Sequence, residues 1–311
     1  MCWLLLLLTL VHSQCLVFGQ HPDAVNSCNR VKTQVFEEKV AYSFLFPNAP
    51  ITYEAIDNCH RYSPLIVGGQ PADPKEFPLM ARLGHRQQQQ IDWFCGGTLI
   101  SENFVLTAAH CLESEQGEVD VVRLGDLDFG TDKDDALHKD YAVSSYFSHP
   151  RFTSSELYND IGLVKLAENV KFDRYKHPAC LPFDDGQNVE SFIAVGWGST
   201  SLAGRSSAML LKVKLDRIAD TICNKVIEYS DEYPHGFDAA SQMCVGSTMA
   251  KDTCNGDSGG PILVYHEQYT CMYHVMGVTS TGISCGTPKI PSIYMRVHYY
   301  LDWIRSVILN N

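Results

Sequence analysis

Apolar and polar positions are distributed along the chain in four distinct ways. An unbroken apolar run, Trp3–Leu10, comes first. It is too short to cross a bilayer and suits the core of a secretion signal. No Lys or Arg precedes it, and small residues permit cleavage after either Ser13 or Gly19. From Gln20 to Leu65 the pattern is mixed, which reads as a pro-segment, ending in Pro64-Leu65-Ile66-Val67-Gly68-Gly69. Beyond it lie short runs rich in β-branched and aromatic residues, such as Thr98–Thr107, Val121–Leu124 and Phe192–Val195, separated by Gly, Pro, Asp and Asn turns. That spacing predicts an all-β body. At the end, Leu301, Ile304, Val307 and Ile308 recur at helical spacing, predicting a short amphipathic helix over His298–Leu309. The expected division is 1–19 signal, 20–65 pro-segment and 66–311 body. No later segment has a membrane-spanning pattern, Gln87–Gln90 reads as a solvated loop, and there is no internal repeat.

Composition narrows the class. With 311 residues, 45% of them hydrophobic, the chain can bury one large core or two smaller ones. A formal net charge of −12 repels nucleic acid and anionic membrane surfaces, so neither is an expected partner. Cysteine parity bears on the signal: of 12 cysteines, a cut after Gly19 removes Cys2 and Cys15 and leaves an even set. A cut after Ser13 leaves Cys15 as an odd thiol in an oxidising compartment. The histidines show no HExxH-like spacing, and no Asn-x-Ser/Thr acceptor for N-glycosylation is present.

Three local sequences carry chemistry: Thr107-Ala108-Ala109-His110-Cys111, Asn159-Asp160-Ile161-Gly162-Leu163 and Asn255-Gly256-Asp257-Ser258-Gly259-Gly260-Pro261. Nucleophilic catalysis needs a hydroxyl, a base to take its proton and a carboxylate to orient that base. Small residues around the serine let backbone N–H groups approach a reacting oxygen closely. In the order His110, Asp160, Ser258, these segments resemble the chymotrypsin/trypsin family of serine endopeptidases, over the stretch from Ile66 to the C-terminus.

The resemblance implies two antiparallel six-stranded β-barrels, the first carrying His110 and Asp160 and the second Ser258. It assigns Ser258 as nucleophile, His110 as base, Asp160 as its orienting carboxylate, and the N–H groups of Gly256 and Ser258 as the oxyanion hole. Ser280 matches the position whose hydroxyl supports the aspartate. Ile66-Val67-Gly68-Gly69 matches the terminus exposed when such precursors are cut, and its ammonium is expected to pair with Asp257. Leu65 before the cut, rather than Arg or Lys, implies activation by a protease of different preference; a cut at Arg61 leaves no correctly placed ammonium. Asp252 matches the floor of the specificity pocket in members that cleave after Arg or Lys, and Gly282 matches its open entrance. Thr281 and Ser292 depart from that pattern and narrow or weaken it.

The same resemblance implies the disulfides Cys95–Cys111, Cys223–Cys244 and Cys254–Cys285, and a tether Cys59–Cys180. Cys28 and Cys271 are then left and are expected to pair, the alternatives being a free thiol or a bond to another chain. Several phrases, among them Arg123-Leu124-Gly125-Asp126-Leu127-Asp128, resemble the arthropod snake-type proteases of immune and developmental zymogen cascades. The two cysteines of the expected pro-segment, Cys28 and Cys59, are too few for that group's clip domain, so venom, salivary and digestive roles stay open. The expected partners are protein substrates, an activating protease and protein inhibitors, with the chain a monomer bearing a disulfide-tethered light chain. No cofactor is expected. Aspartates between Asp126 and Asp140 occupy a loop that holds Ca²⁺ in some members, although an acidic surface loop is more often simply solvated.

Overall fold

A computed structural model describes residues 22–35, 37–41, 52–56, 69–88, 90–114, 117–199, 206–227, 232–247, 256–267, 272–282 and 291–311. In chain order its elements begin with α1 (Pro22–Val35), β1 (Glu37–Ala41), β2 (Thr52–Ile56), β3 (Gln70–Pro71), β4 (Met80–Gln87), β5 (Gln90–Leu99) and β6 (Phe104–Thr107). There follow β7 (Glu113–Ser114), β8 (Gly117–Glu118), β9 (Val121–Leu124), β10 (Lys139–Ser148) and β11 (Gly162–Leu166). The remainder comprises β12 (Ser191–Gly196), β13 (Leu211–Arg217), α2 (Asp220–Val226), β14 (Gln242–Gly246), β15 (Pro261–Tyr265), β16 (Tyr273–Gly282), β17 (Ser292–Arg296) and α3 (Leu301–Asn310).

Two closed barrels of six antiparallel strands form the body. The first runs β10-β11-β6-β5-β4-β9. In the second, β12-β15-β16-β17-β14-β13 closes through β12–β13 pairing, and the short β3 adds to β13. Closure leaves no long exposed strand edge, which short strands of this composition would otherwise present to other chains. The apolar run of β12 is explained by burial on both faces. Phe192 and Ala194 pack inside the second barrel with Leu215, Val245 and Tyr294. Ile193 and Val195 join the larger cluster, which also contains Leu83, Leu106 and Leu163 of the first barrel. The two barrels therefore share packed apolar surface.

A buried ion pair adds a polar joint: Lys212 Nζ on β13 lies 2.7 Å from both Glu76 carboxylate oxygens, ahead of β4. At the C-terminus, a 3₁₀ turn over Val297–Tyr300 leads into α3, where Leu301 and Ile304 are buried. The helix thus begins three residues later than the periodicity alone suggests.

The region ahead of Ile66 holds regular structure that its mixed pattern did not reveal. β1 and β2 pair antiparallel. On α1, Ala24, Cys28 and Val31 are buried, at i, i+4, i+7 spacing that puts them on one face. Cys28 and Val31 pack with Cys180, Met272 and Phe172.

This docking corrects two of the expected disulfides. Cys180 is bonded to Cys28, with Cα atoms 4.9 Å apart, so it does not pair with Cys59, nor Cys28 with Cys271. The physical reason is that α1 buries its apolar face beside Cys180 and delivers Cys28 within the separation a disulfide requires. Cys95–Cys111 and Cys223–Cys244 are formed. Cys59, Cys254, Cys271 and Cys285 lie outside the described residues, as do the expected signal and the junction at Leu65 and Ile66. Among the described residues, no helix is long and apolar enough to cross a membrane.

Candidate active site

Adjacent strands bring the first two candidate residues together. β11 pairs with β6 so that Gly162 stands opposite Thr107. Asp160, two residues before Gly162, and His110, three after Thr107, therefore emerge at the same end of the pair. His110 lies in a 3₁₀ turn, Ala109–Cys111, pinned by the Cys95–Cys111 bond. Asn159 has a φ of 53°, a left-handed conformation that asparagine tolerates better than most residues. It turns the chain just before Asp160.

The Asp160 side chain is fully buried, whereas that of His110 is 38% exposed. Oδ1 of Asp160 accepts the backbone N–H of His110 at 2.9 Å, and Oδ2 lies 2.8 Å from His110 Nδ1. The Ser280 hydroxyl, from β16 in the second barrel, donates to the same Oδ2 at 2.5 Å. Burial alone pushes the Asp160 pKa up, but the His110 charge and these hydrogen bonds outweigh it and hold the carboxyl below its ordinary value. Burial likewise pushes His110 down, and Asp160 overcomes it, raising the imidazole above its ordinary value. With Nδ1–H donated to Asp160, Nε2 carries the lone pair of the neutral ring.

Ser258 sits in the loop entering β15, and its backbone is anchored on the first barrel. Gly96 N–H of β5 donates to the Ser258 carbonyl at 2.8 Å, and Gly259 N–H donates to Thr279 O at 2.8 Å. Gly259 has a φ of +77°, and a Cβ there would stand 2.1 Å from Thr107 Oγ1 and 3.1 Å from Ala108 N. Glycine is required because this loop rests directly on the Thr107–Ala108 step that leads to His110. Asp257, beside Ser258, accepts the Gly198 N–H at 2.7 Å, and a Cβ on Gly198 would overlap the carboxylate at 2.2 Å.

Of the expected pocket residues, Ser292 is fully buried at the start of β17, opposite Gly282 of β16. Thr281 is half-buried, and Asp252 lies outside the described residues. The Asp126–Asp140 loop is largely engaged: Asp126 and Asp140 both bind Arg123, and Asp135 binds Lys75. A calcium ion at those carboxylates would have to displace protein cations.

One residue escaped the sequence reading. Arg82, on the buried stretch of β4, is 4% exposed and lies within electrostatic reach of Asp257. A lone charge inside the apolar run Leu79-Met80-Ala81-Arg82-Leu83 was the available signal.

A family model described as trypsin matches residues 66–304. The chain belongs to the trypsin family. It is similar to "Serine protease snk" of Drosophila melanogaster, 40% identical over 250 residues, covering 78% of this chain and 57% of that protein. It is also similar to "Venom protease" of Bombus pensylvanicus, 35% identical over 247 residues, covering 76% of this chain and 96% of that one. "Melanization protease 1" of Drosophila melanogaster is 31% identical over 315 residues, covering 93% of this chain and 74% of that protein. The chain thus spans little more than half the length of the first of these relatives. Trypsin-family membership accounts for the paired barrels and for a candidate site drawn from both.

Proposed function

We propose that this chain is a secreted serine endopeptidase, made as a precursor and activated by cleavage between Leu65 and Ile66. The observation that carries the reading is the buried Asp160 carboxylate. It accepts from His110 and Ser280 beside a Ser258 loop anchored on Gly96. In the proposed reaction Ser258 Oγ attacks a peptide carbonyl while His110 Nε2 takes its proton. The carbonyl oxygen gains negative charge, for which the Gly256 and Ser258 N–H groups are the proposed donors. His110 returns the proton to the departing amine, leaving an acyl-serine ester, and water then repeats the sequence to release the acid. Asp160 holds the imidazole tautomer and stabilises the imidazolium.

Activation follows from Asp257. A new Ile66 ammonium pairing with it would order the Ser258 loop, and Gly198 leaves room for the carboxylate. Asp252 supports cleavage after Arg or Lys, tempered by the Ser292 hydroxymethyl. The relatives named for melanization and for snk favour a place in an extracellular proteolytic cascade, acting on protein substrates under the control of an activating protease and protein inhibitors. The Bombus relative keeps a venom role as the alternative.

The test is to cut the purified precursor between Leu65 and Ile66 and compare turnover of Arg, Lys, Leu and Phe peptide substrates before and after, with Ser258→Ala as control. Arg or Lys cleavage appearing only after the cut is expected. No turnover despite a confirmed Ile66 terminus would refute the enzyme reading and leave a catalytically silent binding protein.

A further inference from the structure

Arg82 is a cation where an apolar side chain is expected. Leu79, Met80, Ala81 and Leu83 around it on the same stretch are all buried. Its Nε and Nη1 are buried with no hydrogen-bond partner among the described residues. The rings of Phe129 and Trp197 lie 5.9 Å from its guanidinium carbon and offer no hydrogen-bond acceptor. Burial lowers its pKa to about 10, an effect Asp257 partly offsets, so it is charged at neutral pH. Unmet donors on a buried cation are costly and call for an anion.

Arg82 lines a cavity of about 500 Å³ whose other walls include Asp92, Trp93, Phe129, Ser206 and Ser207; Nε and Nη1 are enclosed, leaving Nη2 as the nitrogen toward it. That cavity borders the Ser258 loop: a Cβ on Gly256 would stand 3.2 Å from Ser206 Oγ and 3.7 Å from Arg82 Nη2. It lies on the β4–β5 side of the site. The residues expected to hold the side chain before the scissile bond, Ser280, Gly282 and Ser292, are on β16 and β17 instead. A peptide laid across Ser258 from β16 therefore runs its leaving-group half toward the cavity.

We infer that this cavity is a subsite for a carboxylate side chain carried within the first three residues after the scissile bond, with Arg82 as its anchor. The inference rests on the peptidase reading. Among the described residues, Asp257 is the carboxylate within electrostatic reach of Arg82, and in the proposed active form Ile66 takes it. Arg123, which stacks on the Trp93 and Phe129 rings at 5.1 Å, is already paired with Asp126 and Asp140. Asp92 is exposed at the rim, where water and salt screen its repulsion, whereas Arg82 acts from a low-dielectric floor. The aromatic faces of Trp93 and Phe129 suit the methylenes of a Glu or Asp side chain.

The test uses the activated chain and peptides with Arg before the scissile bond, carrying Asp, Glu, Gln or Lys in turn at each of the three following positions. At one position, kcat/KM for the acidic peptide should exceed that for Gln by about tenfold, the scale of one charge-assisted hydrogen bond. In Arg82→Met that ratio should fall to near one, while Arg82→Lys keeps part of it. Reading the ratio cancels any general loss of activity. A ratio near one at all three positions in the unmodified chain overturns the inference without any variant, and so does an acid preference that survives Arg82→Met. Cleavage of the Gln peptides upholds the peptidase reading in either case. If no peptide is cleaved, that reading falls, and calorimetric titration of the Glu and Gln peptides against Ser258→Ala decides the subsite alone. Tenfold tighter Glu binding supports it, and equal affinity overturns it.

Discussion

Ser280→Ala isolates the contribution of the second barrel to a carboxylate held by the first. The Ser280 hydroxyl donates at 2.5 Å to Asp160 Oδ2, inside a site where Asp160 is fully buried. A hydrogen bond to a charged group contributes about 1.5–3 kcal/mol, and no water replaces the lost hydroxyl without opening the core. The unfolding free energy at pH 7 should therefore drop by about 2 kcal/mol, some thirtyfold in the unfolding equilibrium. The pH dependence gives the mechanism away. Asp160 has a folded pKa below its ordinary value of 3.8, so its stabilisation is present above that value and lost as pH falls through the folded pKa. Ser280 favours the charged carboxylate, so its removal raises the folded pKa. The stability gap between the two proteins should hold from neutral pH down to about pH 5 and then shrink as Asp160 protonates. Urea unfolding of both proteins in a Ser258→Ala background, free of self-digestion, measures this at each pH. A gap that is absent at pH 7, or that persists unchanged when Asp160 is protonated, would refute the argument.

Three further outcomes follow from the same geometry. Glu76→Ala leaves the Lys212 ammonium, whose side chain is 1% exposed, with the more distant and exposed Asp73 carboxylate at 3.7 Å, and should cost about 3 kcal/mol in denaturant unfolding, the low end for breaking a buried pair, whereas replacing both Glu76 and Lys212 by apolar residues should cost less. After a cut between Leu65 and Ile66, non-reducing electrophoresis should show the N-terminal piece retained in Cys59→Ser and released only on reduction, because Cys180 is bonded to Cys28. Peptidase activity should fall on the acid side through a pKa above 6.5, since Asp160 raises His110 and only the neutral imidazole accepts a proton from Ser258. A pH profile of kcat/KM with that limb below 6.5 would contradict the assignment of the base.

Local pattern was enough for the strand-rich body, the C-terminal helix and the candidate residues. Each depends on residues near in sequence: alternation for a strand, i, i+3 spacing for α3, and small neighbours around Ser258. Family resemblance extended this to the disulfides Cys95–Cys111 and Cys223–Cys244, which join segments 16 and 21 residues apart. The bond from Cys28 to Cys180 spans 152 residues and depends on where α1 docks. Ala24, Cys28 and Val31 share one buried face of α1, but the mixed pattern around them did not announce a helix, and nothing local said which surface covers that face.

The same limit applies to charge. Arg82 stood out as a lone charge in an apolar run and Lys212 did not, but the burial of both follows from what is packed against them: Asp257 and the Trp197 ring near one, and Glu76 against the other. Sequence by itself determined which side chains could perform the chemistry, because that is a property of residue type and short-range spacing. Tertiary structure alone decided which of them meet, because hydrogen-bond distance and loss of solvent are set by the packing of segments remote along the chain.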